Sequence, residues 1–281
     1  MTSSANLHDP KSENGEPGTE RPLDLDAIPA PEPARPIRWR AAWRGFRALM
    51  ADPERTELAF SFFDTLGGSD EILFQRSLAT AAGRRLLAER SSLVHVLADR
   101  EALAALPENS FGRAYLAFAQ QNGFAADGLL EAREEGGSSE REASDPYREW
   151  FFERLTVMHD LWHVLTGYGT DQAGEAHLLA FSLAHLPIRS IRVVSLLLLL
   201  RAPRQNRFFF HRGLLAARRR GRRSAPLISA RFEELLARPL EVVRNELGIA
   251  PLAETHPEGL VMGSQEHWSI RPVAALPGTA R

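Results

Sequence analysis

Three residues able to hold a cation crowd into one short run, His159, Asp160 and His163, written H-D-x-x-H. They fall within a segment, Tyr147 to Thr166, whose apolar residues Phe151, Leu155, Met158, Trp162 and Leu165 recur at helical spacing. On a helix the three side chains project at about 0°, 100° and 40° around the axis, inside one arc. His159 and His163 are one turn apart, the spacing that lets two imidazoles share a metal ion. Glu175 follows after eleven further residues, across Gly167-Tyr168-Gly169. A helix reversal at that break would return its carboxylate over the histidine pair. Two imidazoles and two carboxylates form a nitrogen and oxygen donor set suited to zinc or non-haem iron. The chain has no cysteine, which excludes disulfides, thiolate metal sites and cysteine nucleophiles. The competing reading is a hydrogen-bonded network of core histidines, but three titratable groups on an apolar helix are expensive to bury without compensation.

Two hydrolase templates fit poorly. H-E-x-x-H metalloproteases carry a glutamate as general base after the first histidine, where this chain has the shorter Asp160. His-Asp phosphohydrolases need an extra upstream histidine, which His95 could supply. They also need a later aspartate, and Asp171 is the last in the chain.

The elements that must position these residues are helical. Asp145-Pro146 reads as an N-cap with proline in the first helical position. Gly167-Tyr168-Gly169 ends that helix, and Thr170-Asp171 caps the next. Upstream, Trp39, Trp43, Phe46, Leu49 and Met50 mark a helix, with a second through Leu58, Phe62 and Leu66 ended by Gly67-Gly68. The stretch from Asp70 to about Gln121 reads as short helices broken at Gly83, Ser91-Ser92, Pro107 and Gly112. Gly248 is a C-terminal cap. Period-two patterns are scarce, and only the apolar run 193–200 is ambiguous between strand and helix. The expected fold is all-α: a single compact domain of about ten helices over residues 37–249. It is preceded by a disordered Pro-rich acidic tail, 1–36, and followed by an irregular tail, 250–281. The first tail holds seven of the 18 prolines and seven acids against three bases.

The 281 residues carry 34 basic and 36 acidic groups, so no global field favours nucleic acid or membrane. All the basic residues but Lys11 are arginine, a bias attributed to a GC-rich bacterial genome. The near-neutral sum hides an asymmetry. No acid occurs between Glu175 and Glu233, an interval with twelve arginines, among them Arg218, Arg219, Arg220, Arg222 and Arg223. Interleaved with Leu196–Leu200 and Phe208–Phe210, they suggest an interfacial surface for anionic lipid. The alternatives are a solvated basic helix facing the acidic loop 131–145, or a nucleic-acid patch for which no motif is present. No segment spans a bilayer: the run 193–200 covers about 12 Å as a helix, against roughly 30 Å of hydrocarbon. No signal peptide precedes it, so the expected location is the bacterial cytoplasm, peripheral on the inner membrane.

The five-part pattern His159-Asp160-x-x-His163, eleven residues, then Glu175 resembles the hallmark of the Coq-four family of ubiquinone-biosynthesis proteins. Leu161 to Gly169 and Gly174 are similar in kind, as are Leu106-Pro107 with Gly112 and Tyr115, Gly83-Arg84 with Leu86, and Arg238-Pro239-Leu240 leading to Arg244-x-x-Leu247-Gly248-Ile249. The likeness runs from about Thr56 to Ile249. His177 beside Glu175, Phe111 and the loop 131–145 depart from it. What the resemblance implies is metal-dependent removal of the ring carboxylate from a polyprenylated 4-hydroxybenzoate-type intermediate, either simple or oxidative with ring hydroxylation. His159, Asp160, His163 and Glu175 would then hold a divalent ion, zinc in first place and iron in second. The implied partners are that aromatic acid, other ubiquinone-biosynthesis enzymes and an anionic membrane surface. A homodimer is admitted, and nucleic acid is not expected. The rival from another class is a non-catalytic lipid-binding scaffold that organises those enzymes at the membrane. His95, His185, His211, His256 and His267 have no partner at ligand spacing and read as structural or exposed.

Overall fold

The computed structural model describes residues 36–52, 55–67, 70–123, 145–201, 207–263 and 269–273, with 28, 30, 31, 128 and 135 as isolated positions. Expectations for most of the tail 1–36, the loop 131–144 and the last eight residues lie outside the described residues. The architecture is all-α, as expected. Fourteen α-helices occur among the described residues: α1 Trp39–Ala51, α2 Thr56–Thr65, α3 Asp70–Leu78, α4 Ala81–Glu89, α5 Leu93–Ala98, α6 Arg100–Ala105, α7 Phe111–Asn122, α8 Pro146–Thr166, α9 Gln172–Ser182, α10 Arg189–Arg201, α11 Arg207–Arg223, α12 Phe232–Leu235, α13 Leu240–Glu246 and α14 Leu252–Thr255. Two three-residue strands, β1 Leu260–Met262 and β2 Ser269–Arg271, pair antiparallel with Val261 opposite Ile270. The helices outnumber the ten expected because the middle and the C-terminal part break into pieces as short as four residues.

The longest helix, α8, is the axis of the fold. Leu161, Trp162 and Leu165 meet Leu93 and Leu97 of α5, Leu103 of α6 and Phe111 and Tyr115 of α7 in one core. Its N-terminal half contributes Phe151 and Phe152 to a second cluster with Leu73 and Phe74 of α3 and Ile188 and Ile191. Burying side chains on nearly every face explains why α8 lacks a polar stripe, and Arg148 and Arg154 are admitted only as partnered cations. Arg148 pairs with Glu71 at 2.8 Å and with Asp145, while Arg154 pairs with Glu233 at 2.5 Å. Behind α8, α9 lies along α11, and α10 touches α9. The run 193–200 is helical within α10. Among the described residues no helix is long and apolar enough to cross a membrane.

Three expectations are corrected, and the face that α1 buries, which its spacing left open, is settled. The tail 250–281 is not wholly irregular: Leu252, Leu260, Val261 and Val273 are buried, so α14 and the hairpin join the core. Their alternation was too short to register as strands. Ile28 packs on the α3–α8 cluster, and the Ala30 carbonyl accepts from Arg148, so contacts with the domain begin before residue 37. Trp39 and Trp43 do not face the core. They are 65% and 58% exposed, while Ala42 and Phe46 of α1 are buried against Phe62, Leu66 and Val194. Finally, Gly83 and Gly112 lie inside the first turns of α4 and α7, whose N-caps are Thr80 and Ser110. Close approach rather than helix breaking explains them. A Cβ on Gly83 would stand 2.1 Å from the Ser77 carbonyl oxygen, and one on Gly112 would stand 2.5 Å from Leu106 Cδ1.

Gly83→Ala therefore sets two terms against each other. Helix propensity favours alanine by about 1 kcal/mol. Overpacking against backbone costs about 1–3 kcal/mol. Urea denaturation should show a net loss of stability. A stabilised variant would mean that the Ser77–Thr80 turn yields freely.

Candidate metal centre

Local rules build the reversal that carries the site. Asp145 accepts from the Tyr147 amide and Pro146 opens α8. At the other end Gly167 adopts φ 73°, the left-handed conformation that glycine enters without steric cost, and its amide donates to the His163 carbonyl at 2.8 Å. The chain turns back at once. Asp171 caps α9 by accepting from Ala173 and Gly174, and it also accepts from the Gly263 amide at 2.7 Å, which ties the β-hairpin to the helix start. Gly174 lets α9 press on this turn, since a Cβ there would lie 2.1 Å from the Gly169 carbonyl oxygen. Glu175 is thereby placed in the first turn of α9, opposite the histidines of α8.

The ligand-capable atoms of His159, His163 and Glu175 lie within 4.8 Å of one another. Glu175 Oε1 is 3.1 Å from His163 Nε2, and Oε2 is 3.5 Å from His159 Nε2. His163 is buried, its ring stacked on Phe118 of α7 with centroids 5.5 Å apart. Its Nδ1 lies 3.0 Å from the Tyr168 carbonyl. A carbonyl can only accept, so Nδ1 carries a hydrogen, and Nε2 is the nitrogen left to face Glu175. That buried Nε2 has no hydrogen-bond partner. Facing it at 3.1 Å is a carboxylate oxygen with lone pairs of its own. Two such atoms come this close only with positive charge between them, a proton or a cation, and the nitrogen and oxygen donor set fits a divalent ion.

His159 leaves one side open, its side chain 39% exposed. Asp160 is buried, and its carboxylate lies 3.6 Å from Nδ1 of His159, beside the nitrogen that faces away from Glu175. The structure thus gathers His159, His163 and Glu175, and sets Asp160 next to the group rather than within it. Burial opposes charge on His159, but contact with the Asp160 and Glu175 carboxylates outweighs it and pushes the pKa up to about 10. Burial likewise works to raise Glu175, yet His163 and His159 hold its carboxyl well below the usual carboxylate range.

His177, two residues after Glu175, points elsewhere. Its Nδ1 donates to the Ala173 carbonyl at 2.5 Å, and its ring packs among Tyr168, Phe210 and His256. Burial, against the pull of that carbonyl, pushes its pKa down to about 4. Sequence reasoning missed Phe118 and the Tyr168 carbonyl. The first lies on a distant helix, and the second is a backbone atom, which no side-chain pattern reports.

An all-helical domain with a two-histidine, one-glutamate donor set on a helix reversal defines the class of molecule. The family model described as coenzyme Q (ubiquinone) biosynthesis protein Coq4 matches residues 42–253, and the chain belongs to that family, which is involved in ubiquinone biosynthesis. A Drosophila ananassae protein named as a mitochondrial ubiquinone biosynthesis protein COQ4 homolog is 29% identical over 208 residues, 73% of this chain and 75% of its own. The mitochondrial COQ4 of Yarrowia lipolytica is 30% identical, and the match covers 63% of this chain and 65% of that protein. A crystal structure of a Nostoc punctiforme protein provisionally assigned to ubiquinone biosynthesis is 18% identical and superposes with a TM-score of 0.56. It covers 76% of this chain and 99% of its own, and at that identity it speaks for the fold alone.

An incoming ion has to displace the His159 proton. Zinc binding at pH 8 should release about one proton per chain, and affinity should rise about tenfold per pH unit until about pH 10. Calorimetry in buffers of different ionisation enthalpy measures the release. A value near zero would mean that His159 is already neutral. Without an ion, the raised pKa of His159 supplies stability that is complete below its ordinary 6.5 and lost as pH climbs through about 10. Glu175 behaves oppositely, stabilising above its ordinary 4.5 and losing that contribution on acidification.

Proposed function

We propose that this chain acts in ubiquinone biosynthesis by removing the ring carboxylate from a polyprenylated 4-hydroxybenzoate-type intermediate, with a divalent ion held by His159, His163 and Glu175 and Asp160 set beside His159. The reading is carried by the convergence of His159, His163 and Glu175, with His163 Nε2 and Glu175 Oε1 3.1 Å apart, in a member of this family. When bound, the ion would supply a Lewis acid for the ring phenolate or carboxylate. His163 fixes the buried side of the centre, Phe118 screens it, and the partly exposed His159 and Glu175 leave an approach for the ring. That openness favours a reaction centre over a closed structural ion. Nitrogen and oxygen donors suit zinc, and iron would serve if the carboxylate leaves oxidatively.

A prenyl tail keeps such a substrate in a bilayer, and two exposed faces suit an anionic membrane surface. On α11, Arg218, Arg219, Arg222 and Arg223 are exposed and make no ion pair among the described residues, and Phe208 and Leu215 stand exposed on the same helix. On α1, Trp39 and Trp43 share the outer face with Arg40, Arg44 and Arg47. Arg220 does not belong to this surface, because it is buried. The same exposed apolar groups favour the second reading, a scaffold that holds the other ubiquinone-biosynthesis enzymes together without chemistry of its own.

Deleting the gene should lower ubiquinone and accumulate a prenylated ring acid that keeps its carboxylate, read by mass spectrometry. His163→Ala or Glu175→Ala protein should lose its ion and fail to restore synthesis. Full restoration by His159→Ala would defeat the catalytic reading in favour of the scaffold.

Replacing Arg218, Arg219, Arg222 and Arg223 by glutamine should weaken co-sedimentation with anionic vesicles, at about 1 kcal/mol per arginine near the surface, without changing ion content. Equal binding by that variant would move the membrane contact to another face.

A further inference from the structure

We infer that Arg220 and Arg244 are positioning residues for the candidate centre, holding the last turn of α8 so that the Tyr168 carbonyl fixes His163 with Nε2 turned toward Glu175. This rests on the metal-binding reading above.

The last carbonyls of a helix have no partner within it. At the end of α8 each is taken up by the protein. The Gly167 amide takes that of His163. Arg244 of α13 reaches across with Nη2 to the Val164 carbonyl at 2.8 Å and with Nε to that of Leu165 at 3.0 Å. Arg220 of α11 donates Nη1 to the Thr166 carbonyl at 2.6 Å and Nε to that of Ala250, also at 2.6 Å. Two guanidinium groups from separate helices therefore grip three successive carbonyls, directly after His163 in the chain.

Arg220 is an unusual choice for a plain helix cap. It is 3% exposed and makes no ion pair among the described residues. A buried cation of this kind is costly. Its compensation is the negative end of the α8 dipole together with two carbonyls and the Tyr168 ring, whose centroid lies 5.4 Å from the guanidinium carbon. Tyr168 is thus held twice, by its ring under Arg220 and by its carbonyl on His163 Nδ1. Only the left-handed residue Gly167 separates Thr166 from Tyr168, so the position of the 164–166 carbonyls sets the direction of the Tyr168 carbonyl. That carbonyl in turn sets the tautomer and aim of His163.

Full-length wild type, Arg244→Met, Arg244→Lys and Arg220→Met test this. Methionine keeps most of the aliphatic volume and removes every donor. Zinc affinity is read by chelator competition, and the His163 imidazole by nitrogen NMR of ion-free protein, with His163→Ala identifying its signals. Wild type should show the Nδ1-protonated tautomer. Both methionine variants should shift His163 toward a tautomer mixture and weaken zinc about ten- to a hundredfold. Arg244→Lys should recover part of both effects. If Arg220→Met fails to fold, Arg244→Met decides. An unchanged tautomer with wild-type zinc affinity in folded Arg244→Met would overturn the inference and leave the two arginines as helix caps. If wild type binds no zinc, the metal reading falls, and the tautomer comparison still decides the positioning claim.

Discussion

The reversal between α8 and α9 is the constraint on which the rest of the molecule depends. Glu175 can face His159 and His163 only if the chain leaves one helix and enters the next within a few residues. Gly167 supplies the left-handed turn, Asp171 supplies the new helix start, and Gly174 leaves room for the Gly169 carbonyl beneath it. Each is a local device. Their joint effect is to aim one carboxylate at two imidazoles whose own spacing is fixed by a single helical turn. The remaining helices serve this pair: α7 brings Phe118 onto His163, and α11 and α13 hold the helix end from behind.

Much of this geometry was legible in the sequence because its signals are local. Asp145-Pro146, Gly167 and Asp171 each act on backbone amides within three or four residues, so their types and spacing suffice to place the ends of α8 and α9. Helical phase put His159, Asp160 and His163 on one arc and the helix break pointed to Glu175, and the structure gathers the two histidines with Glu175. What was not legible depends on which face the fold chooses to cover. The spacing of Trp39, Trp43 and Phe46 reports a helix, but α2 and α10 bury Ala42 and Phe46, pack partly on Leu49 and Met50, and leave both tryptophans exposed. Gly83 and Gly112 read as breaks, because a glycine required for close approach looks the same in sequence as one required for a turn. The short hairpin at 260–271 was hidden for a related reason, since three residues offer too little alternation to separate a strand from a loop.

The arginine bias looks at first like a property of the genome alone, but the structure uses the guanidinium shape. Arg148 meets Glu71 through two nitrogens, and Arg154 meets both oxygens of Glu233. Arg220 and Arg244 each divide their donors between two carbonyls. A planar fork can satisfy two acceptors at once from one buried position, which a lysine ammonium cannot do with the same geometry. Arginine is therefore the cation compatible with burial at Arg148, Arg154 and Arg220, and with the partly buried position of Arg244.

The same helix also carries the opposite use of that residue. On α11, Arg220 is turned inward to the end of α8, while its neighbours Arg218, Arg219, Arg222 and Arg223 are exposed. Helical phase makes this division unavoidable: a cluster of five arginines within six residues covers more of the circumference than any one surface can bury. Sequence alone reads the cluster as one basic patch, and the structure splits it into a structural cation and a solvated face. That split puts the exposed charge on the same helix as the guanidinium that holds the Thr166 carbonyl. A lipid headgroup drawn to the outer face would meet a helix already locked to the turn that carries the candidate centre. Attraction at the surface and order at the centre then pass through the same rigid element rather than through a flexible loop.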